Sequence, residues 1–188
     1  MRIISGSSKG KRILEPKDLN TRPLKDLTKE SIFNVIKHSK LLDINLENSN
    51  ILDLFSGVGS FGLECLSRGA ANVTFLESYK EVLTVLKKNI DNLKQQDSSS
   101  IIEKDIFSEN TLKALNDKFD IIFMDPPYKE KKLSFLLNSI TELKLLNADG
   151  IIIIHRHKKE EEDLPKEFNL ILEKNYGISK IIFGNILT

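Results

Sequence analysis

Ile51-Leu-Asp-Leu-Phe-Ser-Gly-Val-Gly-Ser-Phe-Gly62 is the stretch on which the fold turns. An apolar run of strand length ends in a glycine-rich turn, which feeds an amphipathic helix expected over residues 60–68 and closed by Gly69. That is the strand–turn–helix unit of a nucleotide-type cofactor site. Gly57 and Gly59 allow a sharp turn and close approach of a ligand. The helix start offers unpaired N–H groups that favour electron-rich ligand atoms. Gly62 lets the helix lie close to its strand. Gly57-x-Gly59-x-x-Gly62, with Glu77 20 residues after Gly57, also fits a dinucleotide fingerprint. Taken alone, the turn therefore leaves a nicotinamide-dependent oxidoreductase open. Asp53 inside the strand and Asp125-Pro-Pro-Tyr128 far downstream change that reading.

Strands and helices alternate after this unit. Strands are expected at residues 50–55, 72–77, 101–104, 119–124 and 151–154. Ser78, with Glu81 three residues on, reads as a capping box for a helix whose buried face is Leu83, Leu86, Ile90 and Leu93. Residues 95–100 read as a loop and 108–116 as a helix of about two turns. Leu133, Leu136, Leu137 and Ile140 mark a further helix, and Asn147-Ala-Asp-Gly150 a turn. The charged run 158–163 reads as a solvated face. Residues 168–176 and 179–183 form a hairpin about Asn175-Tyr-Gly177. Upstream, residues 1–14 read as a β-hairpin or paired extended segment, 16–23 as a loop, 26–38 as a helix with Ile32, Phe33 and Ile36 inward, and 41–50 as a joint. The expected fold is α/β, a doubly wound, mainly parallel sheet with helices on both faces and one antiparallel strand at the edge. Two parts are expected: a basic N-terminal extension (residues 1–40) and a catalytic domain (residues 41–188).

Composition agrees with a folded chain of about one domain: 188 residues, 40% hydrophobic and 29% charged. No apolar run reaches the roughly 18 residues that span a bilayer, and no secretory signal is evident, so a cytoplasmic location is expected. One cysteine, Cys65, excludes an intramolecular disulfide framework and reads as packing. The net charge of +1 hides an asymmetry: residues 1–40 carry ten Lys/Arg against four Asp/Glu, and the remaining 148 carry 18 against 23. Such a segment suits phosphates, with Arg2, Lys9, Lys11, Arg12 and Arg22 as candidates.

Ligands of open α/β sheets bind beyond the carboxyl ends of the strands. Asp53–Gly59, Glu77, Asp105 and Asp125–Tyr128 all fall at such ends. Glu77 can accept hydrogen bonds from ribose hydroxyls. Asp105 can accept from an adenine amine while Ile106 packs on the ring. Asp53 can orient the glycine turn or reach a cationic ligand group. The prolines of Asp125-Pro126-Pro127-Tyr128 remove two N–H donors. Acceptors remain, the Asp125 carboxylate and the Pro126 carbonyl, beside an aromatic ring. That combination suits a planar group carrying an exocyclic amine.

Strand–Asp53-x-Phe55-x-Gly57-x-Gly59, the acidic Glu77 and Asp125-Pro-Pro-Tyr128 together resemble an S-adenosylmethionine-dependent amino-methyltransferase. More narrowly, the chain resembles the bacterial RsmD family, which methylates N2 of the guanine at position 966 of 16S rRNA. Met1-Arg-Ile-Ile-Ser-Gly6, Lys9-Gly-Lys-Arg12, Thr21-Arg-Pro23, Phe33-Asn34 and Asp53–Ala70 carry that resemblance. It implies a seven-stranded class I methyltransferase fold. It implies S-adenosylmethionine held by Asp53, Phe55, Ser56, Gly57, Gly59, Glu77, Ser78, Asp105 and Ile106, and a base held by Asp125, Pro126, Pro127 and Tyr128. It also implies 16S rRNA in an assembling small subunit as partner, with no metal, no membrane and a monomeric chain. Lys9, Lys11 and Lys29 stand where the family often has arginine, which weakens bidentate phosphate contacts. After the fifth strand the family usually has an acidic residue, where this chain has Ile154-His-Arg-His157. His155 and His157 lack an evident third metal ligand and read as solvated strand-end residues. Other methyl acceptors (adenine N6, another guanine, a glutamine amide) and a non-catalytic RNA-binding module remain open on the motifs alone.

Overall fold

Ile121-Ile-Phe-Met124 and Ile151–Ile154 are unbroken apolar runs, which suit strands covered on both faces. In the computed structural model, which describes residues 1–16, 24–108 and 110–187, they lie inside a seven-stranded sheet. Its strands are β1 Asn50–Leu54, β2 Asn72–Leu76, β3 Ser99–Ile102, β4 Phe119–Met124, β5 Leu146–His157, β6 Phe168–Tyr176 and β7 Ser179–Ile186. The order is β3-β2-β1-β4-β5-β7-β6, with β7 antiparallel to both neighbours. The antiparallel strand is thus second from the edge, not at it. The hairpin folds its later strand inward, where Ile181, Ile182 and Phe183 are buried against β5.

Successive strand residues face opposite sides, and each side has its own core. Ile51, Ile121, Phe123, Ile151 and Ile153 join one cluster with α1 Asp26–His38, α2 Ser60–Ser67 and α3 Lys80–Leu93. Leu52, Leu54, Ile122, Met124, Ile152 and Ile154 join the other with α4 Leu133–Glu142. The chain steps outward from β1 to β3, then lays β4 on the other side of β1. This reversal opens a crevice at the carboxyl ends of β1 and β4, where Leu54 and Met124 are in register.

The N-terminal segment is paired as expected, through an Arg2–Arg12 bridge and hydrogen bonds from Ile3 N–H to Lys11 O (2.9 Å) and Ile13 N–H to Met1 O (3.0 Å). Ile3 and Ile13 enter the same core as α2 and α3. Glu64 of α2 accepts the N–H groups of Ile4 (2.7 Å) and Ser5 (2.9 Å), and Asn89 of α3 bonds both backbone groups of Leu14 and the Val58 carbonyl. Lys29, read from sequence as a phosphate contact, is fully buried. Its Nζ donates to Arg2 O at 2.8 Å and lies 3.6 Å from Glu64, so it ties α1 to the hairpin and does not meet a ligand. Burial pulls its pKa down, against the raising effect of Glu64 and Asp26.

Several boundaries differ from expectation. α3 starts after Tyr79 with no side-chain cap, and the carboxylate at its entry, Glu77, accepts from the Ser78 and Tyr79 N–H groups just ahead of the helix. β3 begins two residues early, since Ser99 and Ser100 pair with Val73 and Thr74 at a sheet edge that tolerates polar side chains. Among the described residues of 108–116, only a 3-10 turn forms, Leu112–Ala114. Asn147–Gly150 belongs to β5 at a register shift opposite β4, where Asp120 accepts from the Asn147 side chain (2.7 Å).

Candidate active site

The glycine turn is braced by two carboxylates. Phe55 leaves β1 with φ 58°, a left-handed conformation uncommon for an aromatic residue, and swings the chain out of the sheet. Gly59 (φ 81°) opens α2, and a Cβ on Gly62 would lie 2.4 Å from the Phe75 ring, so glycine sets how closely α2 meets β2. Glu77 Oε2 accepts from Gly57 N–H (2.9 Å), and its Oε1 accepts from Ser78 and Tyr79 N–H (2.8 Å each). Asp53 Oδ2 accepts from Gly62 N–H at 3.0 Å. Its Oδ1 is buried and has no partner among the described residues. A buried lone acceptor of this kind is costly unless a ligand supplies a donor. Burial pushes the Asp53 carboxyl up to about 8; the Asp125 and Glu77 charges add to this and the Gly62 N–H opposes it.

Asp125 begins the turn after β4. Its backbone N–H reaches Leu54 O at 3.4 Å, across from the glycine turn. Because Met124 pairs with Ile154, Asp125 is set beside His155. His155 Nδ1 lies 2.8 Å from Asp125 Oδ1, and Nε2 lies 2.9 Å from Ser179 Oγ. Arg156 points to the other face and is 1% exposed. Its guanidinium donates to the carbonyls of Pro127 (3.0 Å), Tyr128 (3.3 Å) and Glu130 (2.9 Å), and to Glu162 (2.5 Å). Among the described residues none donates to the Pro126 carbonyl. The Tyr128 ring stands edge-on to His157 at 5.3 Å and to His155 at 6.3 Å.

These parts line one cavity of about 1200 Å³. Asp53, Phe55, Ser56, Gly57, Glu77, Ser78 and Asp125–Tyr128 all face it. Gly59, Asp105 and Ile106 are not among its lining: Asp105 is exposed and accepts from Phe107 N–H (2.9 Å), and Ile106 is buried in the α4-side core. Arg2, Lys9, Lys11 and Arg12 are exposed on the N-terminal hairpin, and Arg22 falls outside the described residues. His155 and Glu162, expected to be solvated, are buried or partly buried behind the Asp125 turn, and so is Arg156 beside His155. Alternation along Ile151–Ile154 was the signal that could have found His155, since it continues the face carrying Phe123 and Asp125. Leu24, Leu27 and Tyr176–Ile178 also line the cavity and carried no motif.

A switch-point crevice, a carboxylate-braced glycine turn and a proline-stiffened acceptor turn on one rim define a class I methyltransferase. A solved Haemophilus influenzae chain proposed to be a methylase superposes with a TM-score of 0.77 at 31% identity, covering 100% of this chain and 98% of that one. An Escherichia coli chain proposed to be a methyltransferase gives 0.80 at 25% identity over 100% and 98%. The ribosomal RNA small subunit methyltransferase D of Buchnera aphidicola (from Acyrthosiphon pisum) is 35% identical over 176 residues, 92% of this chain and 86% of that protein. The protein of the same name from Escherichia coli K12 is 29% identical over 181 residues, 94% and 85%. The chain belongs to the family described as Conserved hypothetical protein 95, the RsmD family, which it matches across residues 1–185.

Proposed function

We propose that the protein transfers a methyl group from S-adenosylmethionine to the exocyclic N2 amine of a guanine in 16S rRNA, the one at position 966. The observation that carries this is the pair of acceptors, Asp125 and the Pro126 carbonyl, on the same cavity as the Asp53–Glu77 glycine turn. The unpartnered Asp53 oxygen and the braced turn fit the cofactor's cationic and polar groups. Asp53, Phe55, Ser56, Gly57, Glu77 and Ser78 would hold it, with Gly59 shaping the turn. Bound there, it supplies an electrophilic methyl group on a positively charged sulfur. Asp125 and the Pro126 carbonyl hold the two amine hydrogens and so aim the nitrogen lone pair. The nitrogen must shed a proton as it takes the methyl group, and the Asp125 carboxylate accepts it. Tyr128 stacks on a base taken out of its RNA structure. The relatives named as small-subunit methyltransferases support RNA as substrate; we take that RNA to lie in an assembling subunit and the enzyme to be a cytoplasmic monomer. No helix among the described residues is long and apolar enough to cross a membrane.

The test is methyl transfer from labelled S-adenosylmethionine to small-subunit particles and RNA from cells lacking this protein. Labelled N2-methylguanosine in 16S rRNA is expected. Label on adenine, DNA or protein would keep the enzyme class and discard this substrate, and bound cofactor without label would favour a binding module.

Two further outcomes follow from the charges. Alanine at both Lys11 and Arg12, on the exposed N-terminal hairpin, is expected to weaken RNA binding and flatten the salt dependence of log K by about 1.4–1.8; an unchanged slope would remove the hairpin from the RNA face. For Asp53, the folded carboxyl lies at about 8, above its ordinary 3.8. Its acid form is therefore favoured in the fold, a contribution full below the ordinary value and lost as pH rises through about 8. A cationic cofactor group beside it favours the carboxylate instead, so binding should release protons near neutrality and tighten with pH until about 8. Calorimetry in two buffers of different ionisation enthalpy measures that release, and its absence in Asp53→Asn would assign it.

A further inference from the structure

Two atoms of one buried ring connect the amine-holding carboxylate to β7, the next strand of the sheet. His155 sits on β5 with Nδ1 2.8 Å from Asp125 Oδ1 and Nε2 2.9 Å from Ser179 Oγ at the start of β7. The ring is closed in: His155 is 6% and Ser179 7% exposed, while the Asp125 side chain keeps 19% toward the cavity. We propose that His155 is the positioning residue for Asp125, fixing its carboxylate so that Oδ1 is occupied and the other oxygen is presented to the methyl-accepting amine. This deepens the methyl-transfer reading and rests on it.

The roles follow from donor chemistry. An ionised carboxylate only accepts, so the imidazole must carry its proton on Nδ1. Ser179, whose hydroxyl can donate to Nε2, completes that tautomer. Arg156, the next residue, holds the carbonyls of Pro127, Tyr128 and Glu130. The backbone of the turn and the side chain of its acid are therefore held by adjacent residues of one strand. A free Asp125 carboxylate would rotate between the cavity and solvent, and a misplacement of this size at a reacting group costs orders of magnitude in rate. Ser179 follows Tyr176–Ile178, which line the cavity, so the same ring also sets the hairpin wall against Asp125.

Asparagine and glutamine separate positioning from packing. The Asn amide N–H falls near the place of Nδ1 and reaches Asp125; the longer Gln amide falls near Nε2 and reaches Ser179. His155→Gln is expected to lower kcat about 100-fold with the cofactor Kd within about twofold, whereas His155→Asn stays within about tenfold of the natural enzyme. Equal losses in both, or no loss in His155→Gln, would overturn the proposal. Nitrogen-15 NMR of the free protein, with His155→Gln identifying the signal, reads the ring proton without any turnover. A proton on Nδ1 upholds the Asp125 contact and a bare Nδ1 overturns it. If the natural protein methylates no RNA, the substrate reading fails, and the NMR result still decides the contact.

Discussion

Asp125→Ala is expected to retain cofactor binding and to lose turnover by about 1,000-fold. The substitution removes an acceptor of the amine hydrogens and the proton acceptor together. It also leaves His155 Nδ1 without the Asp125 Oδ1 that lies 2.8 Å from it in the natural protein. Cofactor binding survives because Asp53, Glu77 and the glycine turn are held by their own bonds to Gly62, Gly57, Ser78 and Tyr79. Removing the Asp125 charge even eases the upward push on the Asp53 carboxyl. Asp125→Asn sharpens the result: it keeps an acceptor oxygen of nearly the same shape but cannot take up a proton at neutral pH. Single-turnover assays beside cofactor titration separate the two functions. Normal turnover in Asp125→Ala would end the role assigned to this residue, and lost cofactor binding would move it into the cofactor site.

The second large effect concerns stability. Arg156→Met should lower the unfolding free energy by about 3–5 kcal/mol, a fall in Tm of roughly 6–20 °C for a chain of this size. Its guanidinium is buried, and it satisfies three carbonyls of the Pro127–Glu130 turn and the Glu162 carboxylate, itself 8% exposed at the side chain. Methionine fills the space but leaves those acceptors without donors, and removing one member of a buried pair costs far more than removing both. The double variant Arg156→Met with Glu162→Leu should therefore recover part of the loss. Thermal unfolding of the single and double variants measures both statements. A single variant within 2 °C or so of the natural protein would mean that water reaches these carbonyls readily. Activity should fall in both, since Tyr128 and the Asp125 turn lose their anchor.

The parts of the site legible in sequence were those whose geometry is local. β1, the glycine turn and α2 follow one another without a break, so the turn, Gly62 and the burial of Cys65 could be read from neighbours alone. α1 and β4 matched their expected limits because each carries a full apolar period, with Ile32, Phe33 and Ile36 in one and Ile121–Met124 in the other. Loop-flanked segments with few apolar residues were placed less well: in 95–104 sheet pairing outweighed a weak local pattern, and among the described residues of 108–116 the pattern carried only a 3-10 turn.

The apolar periods, the glycine spacing and the acidic strand ends thus determined by themselves that this chain makes a mainly parallel α/β sheet with a cofactor turn and an Asp-Pro-Pro-Tyr rim. Tertiary structure alone decided what stands behind that rim. Lys29 looked like a phosphate contact until α1 packed beside Glu64, and Ser78 like a cap until α3 began after Tyr79, with Glu77 accepting from the Ser78 and Tyr79 N–H groups ahead of it. His155 and Glu162 looked solvated until β5 paired with β4 in one register and β7 closed its other side. The physical reason is common to all of them: a charged or polar side chain takes its role from the partner it meets, and those partners lie 35 residues away for Lys29 with Glu64 and 30 for His155 with Asp125, a separation that only strand register and helix packing close.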